Sequence, residues 1–284
     1  MIAAVQKDDA LLRDIRESGR RAPEQLHAWW LGQSGFLLAH EGCHVLVDPY
    51  LSDSLTSKYA ATDKPHVRMS ERVIDPSRLD FIDVVTSSHH HTDHLDGDTL
   101  RPLFEVNPGL RMVLPRAWRE LAAERAGVEP GDGFRLTGVT AGDSVSIGGA
   151  AFHAVTAAHN EVSHDAAGNC QFLGYVIRLG PHTVYHSGDT LLHEGLVGQI
   201  GAHGRIDLAI LPINGNRPER RVAGNLDAAE AARLARDIGA RLAVPCHYHM
   251  FGFNTADPAG FERECGALGQ PCFVPGHGGR LSIG

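Results

Sequence analysis

The chain has 284 residues, of which 43% are hydrophobic and 21% are charged, and its formal net charge at pH 7 is -8. These values are typical of a folded globular protein that can bury one large core or two modest ones. The acidic balance argues against a nucleic-acid binder, because phosphate contacts require clustered lysine and arginine. No segment has the length and apolarity of a membrane span or of a signal peptide, which predicts no membrane association.

The five cysteines are scattered, odd in number and without a Cys-x-x-Cys pair. They are Cys43, Cys170, Cys246, Cys265 and Cys272. Such a distribution favours reduced thiols over a framework of disulfide bonds. Together with the missing signal peptide, it predicts a cytoplasmic protein.

Strand and helix patterns alternate in both halves of the chain. Residues 1–25 predict an N-terminal helical extension, and residues 26–284 predict a single α/β domain. Strands are predicted at 26–38 (as a pair), 43–50, 81–88, 111–114, 142–156, 171–179, 182–187, 206–211 and 242–246. Helices are predicted after Gly97, over 117–126 and over 226–238, the last with Asn225 as its cap. Residues 51–71 are polar without a clear period and predict a loop that could act as a lid.

Four side chains that can bind metal fall within six residues of the segment 88–96, which reads SHHHTDHLD and follows a predicted strand. They are His89, His91, Asp93 and His94. Imidazole nitrogens and carboxylate oxygens bind Zn²⁺ and similar divalent ions. Alternate positions of an extended segment point to the same side, so His89 and His91 can share one ion. Asp93 and His94, after the chain turns, can face a second ion, and the segment therefore predicts a two-metal site rather than a solvated loop.

Two ions need more ligands than one loop supplies. Ligands in α/β folds gather at the carboxyl ends of strands, and His159, Asp189 and His247 each follow a predicted strand. Taken alone, such a residue is more often a cap or a turn residue, but together the three fill the vacant positions. We expect His159 to join His89 and His91, His247 to join Asp93 and His94, and Asp189 to lie between the two ions, because a carboxylate can bridge them. Asp93 and Asp189 are the carboxylates assigned to catalysis.

Several other histidines lie near these positions. His90 alternates away from its neighbours and is expected to pack or to face solvent. His249 lies two residues past His247 and could replace it, although the end of the strand favours His247. His186 precedes the turn to the bridging aspartate and could hydrogen-bond to a ligand. His277, in PGHGGR, is either a proton donor behind the ligands or a turn residue.

The substrate is expected to be an anionic small molecule. Tyr50 and Asn160 neighbour the metal loops and are predicted to orient it. Arginine clusters often bind phosphate or carboxylate, and equally often they are only solvated. The candidate anchors are Arg217, Arg220 and Arg221 in the loop 214–224, and Lys58, Lys64 and Arg68 in the segment 51–71.

Five motifs in fixed order resemble the metallo-β-lactamase superfamily. They read VLVDPY, HHHTDH, AAHN, HSGDT and PCHYH, and the match spans about Ala28 to Arg280. The resemblance implies a four-layer αββα sandwich with a dinuclear metal site on its edge. It also implies that Asp48 is a buried acidic residue beneath the metal loops, which supports ligands rather than binding metal.

Further stretches are similar to the L-ascorbate-6-phosphate lactonase branch of this superfamily. They read AWWLGQSGFLL, RVIDPSRLDFIDVV, VYHSGDT and AVPCHYHMFGFNTADP. The chain departs from that branch in a shorter region between Asp48 and Asp75, in a short tail after His277 and in the histidine at position 159. These departures concern the lid and the metal shell, so they bear on the substrate rather than on the fold. Homo-oligomers are common in this branch, which leaves a homo-oligomer open.

A two-metal site predicts a hydrolase in which a hydroxide that bridges the ions attacks a carbonyl carbon and the metal charge stabilises the oxyanion. With the resemblance, the predicted reaction is the opening of a lactone or the cleavage of a related ester. A phosphorylated sugar-acid lactone is the candidate substrate. The alternatives are a phosphodiesterase of the same superfamily and a non-catalytic metal-binding protein. Histidine-rich shells suit Zn²⁺, and Mn²⁺ stays open.

Overall fold

The computed structural model describes all 284 residues, which form two β-sheets and seven α-helices. The helices are α1 (Asp8–Arg21), α2 (Ser54–Tyr59), α3 (Gly97–Val106), α4 (Arg119–Ala126), α5 (Leu196–Gly201), α6 (Ala228–Asp237) and α7 (Pro258–Leu268). The strands are β1 (Leu26–Gly32), β2 (Gly35–His40), β3 (Cys43–Val47), β4 (Val84–Thr86), β5 (Arg111–Pro115), β6 (Leu136–Val139), β7 (Ser144–Ile147), β8 (Ala150–Thr156), β9 (Leu173–Leu179), β10 (His182–His186), β11 (Leu208–Pro212), β12 (Leu242–Cys246) and β13 (Arg280–Ile283).

Each sheet combines antiparallel and parallel strands. The first sheet has the order β13-β1-β2-β3-β4-β5-β6, antiparallel from β13 to β3 and parallel from β3 to β6. The second has the order β12-β11-β10-β9-β8-β7, parallel from β12 to β10 and antiparallel from β10 to β7. Strands β8, β10 and β12 therefore run in one direction, and their carboxyl ends meet at one edge of the second sheet.

Apolar side chains between the two sheets form the main core. Strand β1 illustrates how the sequence builds both faces, because successive side chains of a strand point to opposite sides. Ala28 and Trp30 join the core between the sheets, whereas Trp29 and Leu31 join a second cluster under the outer helices. Since both faces of the first sheet are covered, the strand is buried along its whole length. The predicted αββα sandwich is confirmed.

Helix α1 belongs to the outer layer that covers the first sheet. It begins at Asp8 rather than at the start of the chain. Its side chains Leu11, Leu12 and Ile15 recur at helical spacing and are buried in the second cluster. The segment predicted as an extension thus contributes one of the covering helices. None of the seven helices combines the length and apolarity that crossing a lipid bilayer requires.

Some predicted elements differ from those in the structure. The segment 51–71 contains the short helix α2 and is not only a loop. The cap of α6 is Asp227 and not Asn225, because Asp227 and Glu230 exchange hydrogen bonds with each other's backbone amides at 2.9 and 3.0 Å. Asn225 is buried and donates instead to the Asn214 side chain. Strand β6 and helices α5 and α7 were not predicted, since they are short or contain glycines that obscure the period.

Candidate metal centre

The residues predicted to bind metal meet at one edge of the sandwich, and both sheets contribute to them. Four lie in the loop after β4 of the first sheet: His89, His91, Asp93 and His94. Three follow β8, β10 and β12 of the second sheet: His159, Asp189 and His247. Because the carboxyl ends of these strands lie together, side chains far apart in the sequence converge.

The candidate ligands fall into two sets with a shared carboxylate between them. The first ligand set is His89, His91 and His159, and the second ligand set is Asp93, His94 and His247. Within each set the ligand atoms lie within 4.8 Å of one another, and so do those of His89, His94 and Asp189. Asp189 Oδ1 lies 3.3 Å from Nε2 of His94, and Oδ2 lies 3.6 and 3.3 Å from Nε2 of His159 and His247. One carboxylate thus faces both sets.

Among the candidate ligands, two buried atoms lack a well-formed hydrogen bond, namely Nε2 of His94 and Oδ1 of Asp189, which face each other at 3.3 Å. A buried polar atom without a partner costs about 1–3 kcal/mol of stability. A cation coordinated by both atoms would satisfy them. The donor set of imidazole nitrogens and carboxylate oxygens also fits a divalent ion such as Zn²⁺ or Mn²⁺. The residues present therefore fit a bound metal.

Asp48 lies directly beneath the metal loop, just after β3, and is fully buried. Its Oδ2 atom lies 2.7 Å from Nδ1 of His94 and also accepts a hydrogen bond from the Ser88 hydroxyl. Its Oδ1 atom accepts one from the Thr86 hydroxyl at 3.2 Å. A proton held on Nδ1 of His94 leaves Nε2 free toward the space between the ligands. Asp48 thus contacts the candidate ligand His94 and does not itself face the space between the ligands.

A similar contact orients His159. Its Nδ1 atom lies 2.9 Å from the carbonyl oxygen of Gly224, and Nε2 therefore faces Asp189. The amide of Gly224 donates in turn to Oδ1 of Asn160 at 2.8 Å. Asn160 was predicted to orient substrate, but its side chain fixes the loop that holds His159 and does not line the cavity described below.

The turn before Asp189 packs tightly against the metal loop. Gly188 has φ +59°, and a Cβ atom there would lie 2.6 Å from Cβ of Ser88, so only glycine fits. Its amide donates to Nδ1 of His186 at 3.2 Å, and Nε2 of His186 lies 2.9 Å from the Ser34 carbonyl oxygen. His186 therefore fixes the turn and does not form the predicted hydrogen bond to a ligand.

The two ligand sets differ in their ionisation. Burial lowers the pKa of His89 well below its usual value and that of His91 to about 4, so both imidazoles are neutral at pH 7. Burial also disfavours the charged forms of His94 and His247. There the neighbouring carboxylates, foremost Asp189, outweigh it and raise both pKa values, that of His247 to about 9.

A cavity of about 440 Å³ opens above the ligands. Its outer wall carries four cationic side chains, and its only carboxylates are those of Asp93 and Asp189. The cationic residues are Lys58, Lys64, Arg125 and Arg221. A cavity of about 480 Å³ between α1 and the β2–β3 turn lies at the opposite end of the first sheet and is lined by none of the candidate ligands. The smaller cavity is therefore the one that concerns this site.

Three more residues predicted to bind substrate do not line this cavity. Tyr50 is buried, and its hydroxyl accepts a hydrogen bond from the Leu55 amide at 3.0 Å. Arg220 donates to the side chain of Asn254 and to two backbone carbonyl oxygens, so its guanidinium is used within the protein. Arg217 is exposed at the same loop. Arg221, whose backbone takes a left-handed φ of +51°, lines the cavity in their place.

The remaining histidines near the site do not belong to the ligand sets. His277 packs on Trp30 with ring centroids 4.2 Å apart and forms no hydrogen bond to a ligand, so it is a turn residue rather than a donor behind the ligands. His249 belongs to none of the ligand groups. His90, expected to pack or to face solvent, packs on Trp118 with ring centroids 4.2 Å apart and also lines the cavity.

Gln33 is a residue of the site that the sequence did not reveal. It follows β1, and its Nε2 atom lies 2.8 Å from Oδ2 of Asp93 and 3.0 Å from Nε2 of His247. Strand β1 runs in the same direction as β3, so its carboxyl end lies at the same edge as Asp48. A position at the carboxyl end of a strand is therefore the signal in the sequence that could have identified Gln33.

Comparisons with known proteins agree with this geometry. Residues 44–248 match the Beta-lactamase superfamily domain, a range that contains Asp48 and all seven candidate ligands. A UPF0173 metal-dependent hydrolase of Methanosarcina mazei is 30% identical over 241 residues, which cover 82% of this chain and 88% of that protein. One of Thermoplasma acidophilum is 27% identical over 253 residues, covering 89% and 96%.

The fold is also found among solved structures. Igni18, a metallo hydrolase from the hyperthermophilic archaeon Ignicoccus hospitalis, superposes with a TM-score of 0.65 at 21% identity, covering 92% of this chain and 99% of that one. None of these three names refers to a lactone, so the finer resemblance to the lactonase branch stays a prediction. At the level that the matches share, the chain belongs to the metallo-β-lactamase superfamily and to its UPF0173 family of metal-dependent hydrolases.

Proposed function

We propose that this protein is a two-metal hydrolase that opens a lactone, or cleaves a related ester, in a substrate that carries a negative charge. One observation carries the two-metal part of the proposal. The Asp189 carboxylate lies between the two ligand sets at 3.3–3.6 Å, with Oδ1 beside His94 and Oδ2 beside both His159 and His247, a position that would suit a carboxylate shared by two cations. When bound, two divalent ions would supply a water molecule of lowered pKa and a Lewis acid for the carbonyl oxygen.

The protein's own residues orient this centre. Asp48 and the Gly224 carbonyl oxygen hold the Nδ1 sides of His94 and His159, which points both Nε2 atoms at the ligand space. Such supporting contacts fix the tautomer of a ligating histidine. Aromatic side chains, among them Tyr59 and Phe253, form part of the cavity wall and reduce the access of bulk water to the reacting groups.

The charge of the cavity wall supports an anionic substrate. Lys58 has no hydrogen-bond partner among the protein's side chains and stands 5.3 Å from the ring centroid of Tyr59. Arg221 pairs with Asp63 at 2.6 Å, but both side chains are mostly exposed, so the pair is screened and can exchange for a substrate anion. A phosphate or carboxylate on the substrate matches this wall.

The preference for a lactone rests on the sequence resemblance and on where its residues lie. The stretch 243–258, which is similar to the lactonase branch, supplies Phe251, Phe253 and Asn254 of the cavity wall. The part of the chain that resembles lactonases would therefore contact the substrate. Phosphodiester hydrolysis has less support, since the net charge of -8 does not favour a polyanion.

The test is an assay of purified protein loaded with Zn²⁺ or with Mn²⁺. Sugar lactones, with and without a phosphate group, are offered beside a phosphodiester. We expect lactone hydrolysis that is faster with the phosphorylated substrates and that is lost after chelation and in Asp189→Ala. Turnover of the diester alone contradicts the proposal in favour of the phosphodiesterase. Fewer than two ions per chain, with no turnover in a broad ester screen, favours a non-catalytic metal-binding protein.

A further inference from the structure

Gln33 is held rigidly beside the second ligand set. It is 1% exposed, and its φ of +50° is a left-handed conformation that a residue with a side chain adopts only when its surroundings enforce it. Its carbonyl oxygen accepts hydrogen bonds from the amide of His247 at 3.0 Å and from the Trp30 indole at 2.9 Å. His247 itself has φ +61°. The backbone of Gln33 is therefore tied to the backbone of a candidate ligand.

The side chain of Gln33 contacts the atoms that would bind the metal. Its Nε2 atom lies 2.8 Å from Oδ2 of Asp93 and 3.0 Å from Nε2 of His247, and these two ligand atoms are 3.5 Å apart. Its Oε1 atom is buried and has no hydrogen-bond partner. The Gln33 side chain thus places its donor Nε2 where a cation would need an oxygen ligand, while its oxygen Oε1 has no partner.

A half-turn of the carboxamide about its last side-chain bond exchanges the positions of the amide nitrogen and oxygen. We propose that Gln33 is a supplementary metal ligand of the second ligand set. Without a cation, its amide nitrogen donates to the Asp93 carboxylate and lies beside the His247 ring. With a cation, the rotated amide presents Oε1 to the positive charge. This inference rests on the two-metal proposal, because it assigns one further ligand to one of the two ions.

The added oxygen changes which metal the second ligand set prefers. A carboxamide oxygen is a hard ligand of the type that suits Mn²⁺ or Mg²⁺, whereas imidazole suits Zn²⁺. The first ligand set contains imidazoles alone. Gln33 therefore raises the affinity of the second ligand set for Mn²⁺ more than its affinity for Zn²⁺, and the two sets differ in metal preference.

The experiment measures Mn²⁺ and Zn²⁺ binding to the full chain by titration calorimetry, with the Mn²⁺ electron paramagnetic resonance signal as a second readout. The variants are Gln33→Ala, Gln33→Glu and, as a matched control in the same turn, Ser34→Ala, whose hydroxyl has only the Cys246 thiol as a distant partner at 3.9 Å. In Gln33→Ala we expect the ion of the second ligand set to bind about tenfold to a hundredfold more weakly, with the larger loss for Mn²⁺. Gln33→Glu keeps an oxygen ligand and binds at least as tightly as the wild type, and Ser34→Ala is unchanged.

The outcomes separate this inference from the function proposed above. Unchanged affinities in Gln33→Ala overturn the role of Gln33. The role is also overturned if Gln33→Ala and Gln33→Glu both lose affinity, and by the same factor for Mn²⁺ as for Zn²⁺. If the first ligand set of a variant binds its ion with wild-type affinity, that variant is folded. A wild-type chain that binds fewer than two ions overturns the two-metal proposal and this inference together.

Discussion

The Nδ1 atom of His94 lies 2.7 Å from the Oδ2 atom of Asp48, and neither side chain is exposed to solvent. The contact decides which ring nitrogen of His94 carries a proton and which remains free for a metal. It joins the carboxyl end of β3 to the loop after β4. The position of a candidate ligand thus depends on a residue 46 positions earlier in the chain.

We expect Asp48→Asn to weaken metal binding by about tenfold to a hundredfold, because an amide holds the Nδ1 proton of His94 less strongly than a carboxylate does. Titration calorimetry of the apoprotein with Zn²⁺ measures this loss. Asp83→Asn is the matched control, since Asp83 faces His44 at 3.9 Å before β4, away from the ligands. Equal affinities for the two variants would argue against the supporting role of Asp48.

His247→Ala and His249→Ala distinguish two histidines that the sequence leaves open. His247 lies with Asp93 and His94, whereas His249 belongs to no ligand group. We expect His247→Ala to retain one tightly bound ion per chain and His249→Ala to retain two. Metal content measured by mass spectrometry on dialysed protein provides the test. Loss of an ion from His249→Ala, with none from His247→Ala, would reverse the assignment.

Metal uptake by the second ligand set should depend on pH. In the apoprotein the carboxylates, foremost Asp189, outweigh burial and raise the pKa of His247 to about 9, so this imidazole carries a proton at pH 7. A cation requires the neutral form and must expel that proton. The apparent affinity therefore rises with pH as His247 and His94, whose pKa values are both raised, lose their protons. His91, with a pKa of about 4, is already neutral and adds no such dependence.

Calorimetry in two buffers of different ionisation enthalpy counts these protons. At pH 7 we expect uptake of the second ion to release at least one proton, and uptake by the first ligand set to release none. Equal proton release for both ions, or none for either, would contradict the difference between the two sets.

Arg221→Ala should raise KM for an anionic substrate about fivefold, which corresponds to about 1 kcal/mol for one exposed charge contact. A neutral analogue of the substrate should show no such change, because it offers no charge to the guanidinium. Arg217→Ala is the matched control, since Arg217 lies on the same loop but does not line the cavity. An equal effect of both variants would mean that the loop acts through its general charge rather than through Arg221.

The sequence was sufficient to predict which candidate ligands lie together because each lies at a local boundary that can be recognised. His159, Asp189 and His247 follow runs of buried residues, and the loop 88–96 has an unusual density of ligand types. The direction of each strand then brings these ends together. The alternation of strands and helices predicted an α/β domain, whereas the order of its four layers was implied by the resemblance to the metallo-β-lactamase superfamily.

The substrate contacts could not be predicted in this way, because they depend on orientations set by tertiary packing. Arg220 and Arg221 are adjacent, yet one guanidinium bonds to the protein and the other lines the cavity. The two side chains diverge because Arg221 has a left-handed φ, and no glycine or asparagine at that position predicts this conformation from the sequence. Tyr50 likewise turns inward because its hydroxyl finds the Leu55 amide.

Because both sheets supply candidate ligands, a bound ion would have a mechanical consequence. An ion held by the β4 loop and by the ends of β8, β10 and β12 cross-links the two halves of the sandwich at one edge. Binding to the folded state at a hundred times the dissociation constant adds about 2.7 kcal/mol of stability. Chelation should therefore loosen the docking of one sheet on the other. Hydrogen exchange would then rise first along the edge where they meet, while the far edge keeps its protection.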